Sequence, residues 1–481
     1  MERASEHGER TNEGEGARHA VVIGAGMAGL WAARVLTEHF DRVTIIERDR
    51  LPERPDHRRG VPQAYHAHTL LARGQRELER LFPELDDELA AAGAPRVDWT
   101  WDCRSFFRTG WVGHYRSGLT TRTCSRDLLE WSVRRALMRR GVAFLEGCDV
   151  LGFCHDAGAD RVTGVQVGAW GEQGGDSGAP EMLLADLVVD ASGRNSRTPE
   201  WLAALGYDRV RETVVDPSLG YASRIYRRPP GLCADWQAMV VSNVPTHQPR
   251  GGVIYPIEGG RWLVTLAGIG GDYPSSDEDA FLAFARSLAT PALHAAIADA
   301  EPLSPIRGYR RTENRLRHYE RLSRWPEGFV ALGDAACTFD PVYGQGMTVS
   351  ALGARVLDRC LRAQRRWHPD GDLHGLGRRF QRRLALSNLT PWLLATGEDF
   401  RWPTTVGGRP GLPTRLAHRY MDRVLALLVE DATVAQAFFT VLHLLKPPTT
   451  LLRPPILRRV LAGAIGFPAG RCRGRDTTRG C

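Results

Sequence analysis

The chain has 481 residues, of which 43% are hydrophobic and 25% charged, and a formal net charge of +7. These values are ordinary for a globular protein with one complex domain or two interlocked ones, so they exclude a disordered or fibrous chain. The positive charge is almost all arginine, with Lys446 as the single lysine, and it is mixed with carboxylates instead of forming a basic stripe or a nucleic-acid-binding module, so no nucleic-acid partner is expected.

The cysteines and the termini indicate the compartment. Nine cysteines run from Cys103 to Cys481 without a CxxC pair, a pattern typical of a reducing compartment. Residues 1–18 are polar and predict a disordered tail instead of a signal peptide. No apolar stretch reaches the length of a membrane-spanning helix. We therefore expect a soluble, cytoplasmic protein without stable membrane insertion.

The first elements in the chain have the pattern of a parallel α/β fold. Residues 20–23 form a short apolar run, a helical pattern continues to about Phe40, and residues 43–47 form a second buried strand. Strand, glycine turn, helix and strand together make the first unit of a doubly wound sheet.

The turn after the first strand carries a GxGxxG motif, formed by Gly24, Ala25, Gly26, Met27, Ala28 and Gly29. The tight turn needs Gly24, close approach of a pyrophosphate needs Gly26, and helix–strand packing needs Gly29. The helix amino end adds free N–H groups and about half a unit of positive charge. Glu47, followed by Arg48, can accept hydrogen bonds from a ribose diol. Glycines can also occur in a βα turn for structural reasons alone. The combination of the glycines, the flanking strand and helix, and Glu47 nevertheless predicts a dinucleotide site, without indicating which dinucleotide binds.

The middle of the chain predicts further helices and strands. Helical periodicity ending near Gly93 is shown by Leu78, Leu81, Phe82, Leu85 and Leu89. Ser125 can cap a second helix, which Gly141 closes. Strands are predicted over residues 142–145, 149–153 and 187–190, and a glycine-rich surface loop over residues 171–180.

Antiparallel sheet is predicted between residues 213 and 312. Residues 252–257 and 261–267 flank Glu258-Gly259-Gly260, a hairpin signature. We interpret this segment as a substrate domain inserted between residues 19–212 and 313–365, with a helical region over 366–481. Its aromatic residues are candidates for a pocket wall, although alternating aromatics also form ordinary core; they are Tyr221, Tyr226, Tyr255, Trp262 and Tyr309.

A second motif follows the buried strand predicted at residues 329–332. It consists of Gly333-Asp334-Ala335-Ala336 and, before a helix, Asp340-Pro341-Val342-Tyr343-Gly344-Gln345-Gly346-Met347. This arrangement resembles the second FAD fingerprint of the para-hydroxybenzoate hydroxylase-like (group A) flavoprotein monooxygenases. The resemblance implies that Asp334 binds the ribityl chain. It also implies that the residues around the isoalloxazine include Pro341, Gly344, Gly346 and Met347.

Further stretches carry the same resemblance over residues 20–361. Asp190-Ala191-Ser192-Gly193-Arg194 is similar to the family's DG motif, except that Ser192 intervenes before the glycine. Arg126 and Arg58 look like its cofactor-associated arginines, and Val150 is assigned to the same cofactor site. The resemblance implies an α/β fold with a Rossmann-like FAD-binding domain, an interleaved antiparallel β-sheet substrate domain and a helical C-terminal region.

Within that superfamily the chain most resembles the FAD-dependent olefin epoxidases of polyether antibiotic biosynthesis. The stretches that carry this likeness are residues 60–68 (GVPQAYHAH), 325–328 (WPEG), 341–344 (PVYG) and 392–396 (WLLAT). The likeness implies epoxidation of a hydrophobic polyketide or terpenoid secondary metabolite. In the implied cycle NADPH or NADH reduces FAD, and O2 then adds to the flavin to give a C4a-hydroperoxide. The sequence does not distinguish the two nicotinamides.

Several alternatives remain open at this stage. The same flavin chemistry supports aromatic hydroxylation, and the FAD fold is shared by prenyl-group reductases and by flavin-binding proteins without turnover. Related halogenases use a Trp-x-Trp-x-Ile-Pro signature and an active-site lysine. Here Trp99-Thr100-Trp101 continues as Asp102-Cys103, and Lys446 lies far away in the sequence, so halogenation is disfavoured.

Two histidines are candidate catalytic residues. His66 and His68 lie on a loop or helix start that is expected near the flavin. Either residue could act as a proton donor or as a positioning group. Histidines at this spacing are also common as ordinary hydrogen-bonded loop residues. No third ligand accompanies them, so no metal site is expected. The sequence does not indicate the oligomeric state.

Overall fold

The computed structural model describes residues 17–169 and 180–464. The expected tail over residues 1–18 and the expected glycine-rich loop over residues 171–180 therefore lie almost entirely outside the described residues. The same applies to the end of the 366–481 segment.

The described residues form twenty β-strands and twelve α-helices. The strands are β1 His19–Ile23, β2 Arg42–Glu47, β3 Arg96–Asp98, β4 Cys103–Phe107, β5 Gly110–Trp111, β6 Thr120–Arg122, β7 Ala143–Glu146, β8 Cys148–Asp156, β9 Arg161–Ala169, β10 Glu181–Leu184, β11 Leu187–Asp190, β12 Glu212–Val215, β13 Gly220–Arg227, β14 Ala238–Val241, β15 Arg250–Ile257, β16 Arg261–Gly268, β17 Arg307–Tyr309, β18 Asn314–Arg317, β19 Phe329–Ala331 and β20 Cys337–Thr338. The helices are α1 Met27–Leu36, α2 Ala72–Leu81, α3 Leu85–Ala91, α4 Arg126–Met138, α5 Thr198–Ala204, α6 Glu278–Arg286, α7 Ala292–Ile297, α8 Gly346–Trp367, α9 Leu376–Asp399, α10 Leu412–Leu427, α11 Ala432–Leu442 and α12 Pro454–Ala464.

A five-stranded parallel sheet lies at the centre of the fold, in the order β19-β11-β1-β2-β7. Every residue of β1, β11 and β19 is buried. Parallel sheets require such cover, and α1, packed on α8, supplies part of it. The antiparallel sheet β10-β9-β8 also packs against the parallel strands. The expected Rossmann-like α/β fold is therefore confirmed.

A seven-stranded sheet provides the second layer, in the order β17-β13-β16-β15-β14-β4-β5. The predicted hairpin is present as β15 and β16, and Gly259 and Gly260 take the positive φ angles its turn needs. The sheet also takes in β4 and β5, which precede the 213–312 segment. Strand β4 joins through a parallel pairing with β14, and a pairing between strands so distant in the chain leaves no local sequence signal.

The single helix expected around residues 78–89 is instead two helices, α2 and α3. The chain leaves α2 at Phe82, whose φ of −139° and ψ of 73° are not helical. Pro83 follows, and a proline disfavours the helical conformation of the residue before it. The five periodic apolar residues are all buried as expected, because the two helices pack on the same core.

The C-terminal region is helical as expected, from α9 through α12. Helix α9 runs for 24 residues through Pro391, and it packs along α8. Within residues 17–169 and 180–464, no helix combines the length and the hydropathy that crossing a bilayer would require.

Candidate functional site

The sequence motifs meet at one edge of the parallel sheet. Gly24 follows β1, Ala191 follows β11 and Gly333 follows β19, while Glu47 ends β2. A Cβ atom built at Gly24 would lie 2.8 Å from the Ala191 carbonyl oxygen, and one at Gly333 would lie 2.4 Å from the Ala28 Cβ. The three motifs are therefore in contact at the carboxyl ends of the strands, where open α/β sheets bind their ligands.

The three glycines of the GxGxxG turn differ in what surrounds them. Gly24 has a φ of +98°, and a Cβ at Gly29 would lie 1.9 Å from the Gly24 carbonyl oxygen, so protein packing explains both. A Cβ at Gly26 would meet nothing within 4 Å. Packing therefore leaves open space at Gly26, and that space fits a phosphate group lying close to the backbone.

The helices that begin at the two FAD-like motifs have no side-chain caps. Helix α1 starts after Gly26 and α8 starts at Gly346, and the N–H groups of neither amino end donate to a capping side chain, whereas Ser125 caps α4 by accepting from the Leu128 N–H. Uncapped amino ends leave N–H groups and a partial positive charge for an anionic ligand. A Cβ at Gly346 would also meet open space, while Met347 beside it is buried.

Glu47, Arg58 and Arg126 are joined in one buried ion-pair network through Glu130. Arg58 pairs with Glu47 at 3.0 Å, Asp49 at 3.1 Å and Glu130 at 2.7 Å, and Arg126 pairs with Glu130 at 2.8 Å. Burial opposes the charge of Arg58, but Glu130 and Glu47 outweigh it and hold the Arg58 pKa above its ordinary value. The structure thus brings together three predicted cofactor residues that lie far apart in the sequence.

Sequence analysis missed Asp49 and Glu130. Glu130 lies four residues after Arg126 on α4, the spacing of a helical ion pair, so a signal was available. Asp49 accepts a hydrogen bond from the Gly60 N–H at 2.6 Å, a contact between two loops that has no local pattern. The Glu47 carboxylate accepts from the Ala25 N–H at 2.8 Å, which places it beneath the glycine turn.

Three other predicted cofactor residues have side chains that are half-buried or buried. Arg48 is half-buried after Glu47, and Val150 is buried in β8 opposite Val167. Asp190 is fully buried, and its carboxylate accepts hydrogen bonds from the loop that follows, from Ser192, Ser196 and Thr198. These bonds give Asp190 a role in shaping that loop, and its direct contact with a cofactor stays a prediction.

Asp334 has a carboxylate that is available to a ligand. Asp334 lies half-buried in a 3-10 turn over Gly333–Ala335, and its carboxylate makes no hydrogen bond or ion pair with any described residue. Burial raises the Asp334 pKa, while Arg194 and Arg126 act in the opposite direction. A half-buried carboxylate without a protein partner fits the expected hydrogen bond to a ribityl hydroxyl.

The loop expected to lie against the isoalloxazine is short and fixed at both ends. Pro341–Tyr343 form a 3-10 turn, which Asp340 caps by accepting from the Val342 N–H at 2.8 Å. Gly344 has a φ of +60°, and a Cβ there would lie 3.2 Å from the Thr69 methyl group. The loop therefore contacts the segment that contains His66 and His68.

A buried pair of carboxyl groups lies behind this loop. Asp340 and Asp399, at the end of α9, are each 1% exposed. Asn314 bridges them, because its amide donates to Asp399 at 2.5 Å and its oxygen accepts from the Asp340 N–H at 2.9 Å. Burial, followed by repulsion from Asp340, raises the Asp399 pKa to about 10, and burial raises the Asp340 pKa to about 6. Asp399 is therefore protonated at neutral pH and donates to Asp340.

The segment from His66 to Thr69 lies between the loop at Gly344 and the seven-stranded sheet. His66 is 3% exposed and hydrogen-bonds through Nδ1 with the Ser223 hydroxyl at 2.8 Å, which contacts the Thr265 hydroxyl at 2.6 Å. The Ala67 N–H donates to the same Thr265 oxygen. Burial lowers the pKa of His66 to about 3 and that of His68 to about 4. Both rings are neutral at pH 7, which favours a positioning role over proton donation by a charged imidazole.

Two of the five candidate aromatic residues lie beside His66. Tyr221 stacks on Tyr309 with ring centroids 5.5 Å apart, and the His66 ring meets Tyr221 edge-on at 4.4 Å. The other three lie elsewhere: Tyr226 and Trp262 belong to the core beneath α6 and α7, and Tyr255 packs in a separate cluster. Alternation along β13 explains the division, because residues 221 and 226 point to opposite faces of the sheet.

The chain is similar to several known proteins. Protein Rv3254 of Mycobacterium tuberculosis (strain ATCC 25618 / H37Rv) is 35% identical over 448 residues, which cover 92% of this chain and 93% of that protein. The structure of PqsL, a probable FAD-dependent monooxygenase from Pseudomonas aeruginosa, matches with a TM-score of 0.56 and 17% identity over 80% of this chain and 98% of that one. The flavin-dependent brominase Bmp2 matches with a TM-score of 0.60 and 16% identity over 88% of this chain and 98% of that one.

The two structural likenesses concern the fold alone, since both identities are low. Residues 57–359 match the family described as FAD dependent oxidoreductase. That match starts after the GxGxxG turn, whose assignment rests on its geometry. It covers more than half of the chain and includes the second motif. The chain belongs to the FAD dependent oxidoreductase family.

Proposed function

We propose that this protein is a cytoplasmic FAD-dependent monooxygenase that uses NADPH or NADH and O2 to epoxidise an olefin in a hydrophobic polyketide or terpenoid. One observation carries the proposal. The segment from His66 to Thr69 contacts the loop at Gly344 and hydrogen-bonds with Ser223 of the seven-stranded sheet. The sheet face that carries Tyr221 therefore lies beside the position expected for the isoalloxazine.

The residues at the sheet edge suit FAD. The open space at Gly26 and the amino end of α1 would hold the pyrophosphate, Glu47 the adenosine ribose and Asp334 the ribityl chain. The amino end of α8 would stabilise negative charge on the ring. When bound, FAD accepts reducing equivalents from the nicotinamide and activates O2 for transfer of one oxygen atom to an electron-rich carbon.

The protonation states of His66 and Tyr221 favour an alkene over a phenol as the substrate. An alkene is itself the nucleophile and needs no base, whereas phenol hydroxylation gains from a group that helps to form the phenolate. With a pKa of about 3, His66 is a weak base. Burial also raises the Tyr221 pKa above its ordinary value, so its hydroxyl stays neutral. Neutral side chains at these two positions suit an apolar substrate, and aromatic hydroxylation is the second candidate.

Halogenation has less support than monooxygenation. Halogenases of related fold need a lysine at the active site, and Lys446 is the chain's single lysine. It borders a cavity between α11 and α12, and none of the residues that line that cavity is a predicted cofactor residue. The likeness to the brominase Bmp2 is one of fold.

The decisive experiment identifies the product made by the FAD-loaded protein. We would follow NADPH and NADH oxidation and O2 uptake with an alkene-bearing terpenoid and with a phenol, under isotopically labelled dioxygen and with and without bromide. The proposal expects a labelled epoxide from the alkene, independent of halide. A labelled catechol from the phenol alone would support the second candidate. Reduction of the alkene to a saturated product, or a product that forms only with halide, would overturn monooxygenation.

The matched control is Gly26→Ala at limiting FAD, because a methyl group there meets open space, so the fold should survive while FAD affinity falls by about tenfold or more. Product formed equally well by this variant would come from a contaminant. A protein that binds FAD but consumes no nicotinamide with any substrate would indicate a flavin-binding protein without turnover.

A further inference from the structure

Helix α9 carries a stripe of exposed residues along one side. Its members follow the helical repeat, so they share one side of the helix. The stripe consists of Arg378, Arg382, Leu386, Leu389 and Leu393, all of which are exposed. Leucines of a surface helix normally lie on its buried side, and α9 already has such a side, which includes Phe380 and Leu384. The exposed leucines are therefore additional to the side that faces the core.

Helix α10 carries a second stripe of the same kind. Its members also follow the helical repeat and are all exposed: Leu412, Arg415, Leu416, Arg419 and Arg423. The only residue of α10 that is buried is Val424, so packing on the protein accounts for little of this helix. Both stripes combine leucine with arginine and contain no carboxylate.

The two helices run past each other in the same direction. Arg401, two residues after α9, pairs with Asp422 at 2.8 Å. One turn earlier in both segments, His418 donates from Nε2 to the Gly397 carbonyl oxygen at 2.6 Å. Because both contacts advance by four residues along each segment, α9 and α10 are parallel at this crossing.

This orientation brings the two stripes to the same side of the helix pair. With 3.6 residues per turn, the α9 stripe lies about a quarter of a turn before the side that contacts α10, and the α10 stripe lies about a quarter of a turn after the side that contacts α9. In two parallel right-handed helices these opposite rotations point the same way. We call the combined stripes the leucine–arginine surface.

The leucine–arginine surface is both apolar and positive. Its leucines are 49–72% exposed, and none of its arginines makes an ion pair with a described residue. The carboxylates at the contact between the helices, Glu398 and Asp422, both pair with Arg401. Single exposed leucines are common, whereas an ordered apolar patch marks an interaction surface. The unpaired arginines require that the partner be negative.

The surface adjoins the loop that is expected against the isoalloxazine. The Gln345 amide donates to the Pro391 carbonyl oxygen at 3.2 Å, and Trp392 shares a hydrophobic cluster with Tyr343. Leu393, a member of the α9 stripe, comes next in the chain. A partner bound to the surface would therefore lie close to the proposed flavin site.

We propose that the leucine–arginine surface docks the protein on an anionic phospholipid bilayer, with the leucines in the apolar boundary and the arginines on the lipid phosphates. Docking of this kind does not span the bilayer. A second copy of the chain fits less well, because a two-fold contact would set each stripe of arginines against positive charge without a carboxylate to pair with. Delivery of a lipophilic substrate from the bilayer rests on the proposed function, whereas docking itself does not.

Vesicle sedimentation tests docking independently of turnover. FAD-loaded full-length protein is mixed with vesicles of equal parts phosphatidylglycerol and phosphatidylcholine, or of phosphatidylcholine alone. Binding to the anionic vesicles should be stronger by about tenfold or more, and added salt should weaken it by screening the charges. Equal binding to both kinds of vesicle, or binding to neither, would overturn the proposal.

Paired substitutions assign binding to this surface. Leu386→Ser combined with Leu416→Ser should lower the affinity for anionic vesicles by about tenfold or more, because two side chains no longer enter the apolar boundary. Arg415→Gln combined with Arg419→Gln should lower it by a similar factor. All four side chains are exposed, so the melting temperature should stay the same.

The matched controls change exposed residues of the same types elsewhere. They are Leu184→Ser on β10 and Arg286→Gln on α6, and both should bind vesicles like the unmodified protein. Weaker binding in these controls, or full binding in the paired variants, would contradict docking through this surface. Analytical ultracentrifugation tests the other occupant: a dimer that dissociates in the paired leucine variant, without vesicle binding, would show that a second copy covers the surface and would overturn the proposal.

Discussion

Gly333 lies directly against Ala28, so that a Cβ atom on Gly333 would fall 2.4 Å from the Ala28 Cβ. Gly333 also has a φ of +64°, in the left-handed region. This contact joins the second FAD-like motif to the first turn of α1. The two halves of the proposed cofactor site are thus packed on each other by a glycine that no other residue replaces without strain.

Gly333→Ala should destabilise the fold and weaken FAD binding. The positive φ and the overlap with Ala28 together should reduce the free energy of unfolding by about 2–4 kcal/mol. Gly206→Ala is the matched control, because Gly206 has a φ of +83° but open space around its Cβ position, and it should lose only about 1 kcal/mol. Urea denaturation of both variants measures the difference. Equal losses would contradict the role given to the Ala28 contact.

Gly26→Ala and Gly29→Ala should separate binding from folding. A methyl group at Gly26 meets no protein atom, whereas one at Gly29 would lie 1.9 Å from the Gly24 carbonyl oxygen. Gly26→Ala should therefore keep the melting temperature of the FAD-free protein and lower FAD affinity by about tenfold or more. Gly29→Ala should lower the melting temperature. Flavin fluorescence titration measures the FAD affinity of both variants, and thermal melts measure their stability. Full FAD affinity in Gly26→Ala would argue against a phosphate at that position.

Arg58→Met should be strongly destabilising. It leaves the carboxylates of Glu47, Asp49 and Glu130 without the cation that pairs with them, at sites less than a tenth exposed. Breaking a buried ion pair on one side reduces stability by about 3–5 kcal/mol. Arg227→Met, which removes an exposed pair with Glu301, should leave the stability almost unchanged, because solvent screens that pair. The loss at Arg58 should be smaller at pH 5 than at pH 8, because removal of Arg58 takes away one of the two arginines that hold the Glu130 pKa down against burial.

Asp399 should make the free energy of unfolding fall as the pH rises. Its pKa is about 10 in the folded protein and about 4 in the unfolded chain. The folded state holds the proton more tightly, so the stabilisation is complete below about pH 4 and is lost as the pH rises towards 10. Between pH 6 and 9 the free energy of unfolding should fall by up to about 1.4 kcal/mol per pH unit from this group.

Asp399→Asn tests that expectation, because asparagine keeps a hydrogen-bond donor towards Asp340 but does not titrate. Its free energy of unfolding should fall less steeply than that of the unmodified protein over the same pH range. The control Asp235→Asn alters an exposed carboxylate paired with Arg104 and should follow the unmodified protein. Parallel curves for all three proteins would show that Asp399 is ionised at neutral pH.

The pH profile of turnover should show no inflection caused by ionisation of a histidine. His66 and His68 have pKa values of about 3 and 4 because they are buried, so neither changes charge between about pH 5.5 and 8. His66→Gln should lower kcat/KM by about tenfold through misplacement of the Ser223 and Thr265 hydroxyls, without changing the shape of the profile. An inflection near pH 6.5 in the profile of the unmodified protein that is absent in His66→Gln would show that the charged imidazole takes part.

Local sequence determined the parts of the site that depend on backbone shape. Gly24, Gly26 and Gly29 are spaced for a turn between a strand and a helix, and Ser125 is placed to cap α4, because such features involve only neighbouring residues. The hairpin at Gly259 and Gly260 was predictable for the same reason. Each of these features is present in the structure.

Only the tertiary structure decided which groups are paired and which are charged. The link from Arg58 to Glu130, the shared proton of Asp340 and Asp399, and the neutral ring of His66 each depend on burial and on partners distant in the chain. Desolvation sets the pKa of a side chain, and no stretch of sequence shows how deeply a residue will be buried. For that reason the sequence indicated which cofactor to expect, and the packed chain determined the electrostatics around its proposed position.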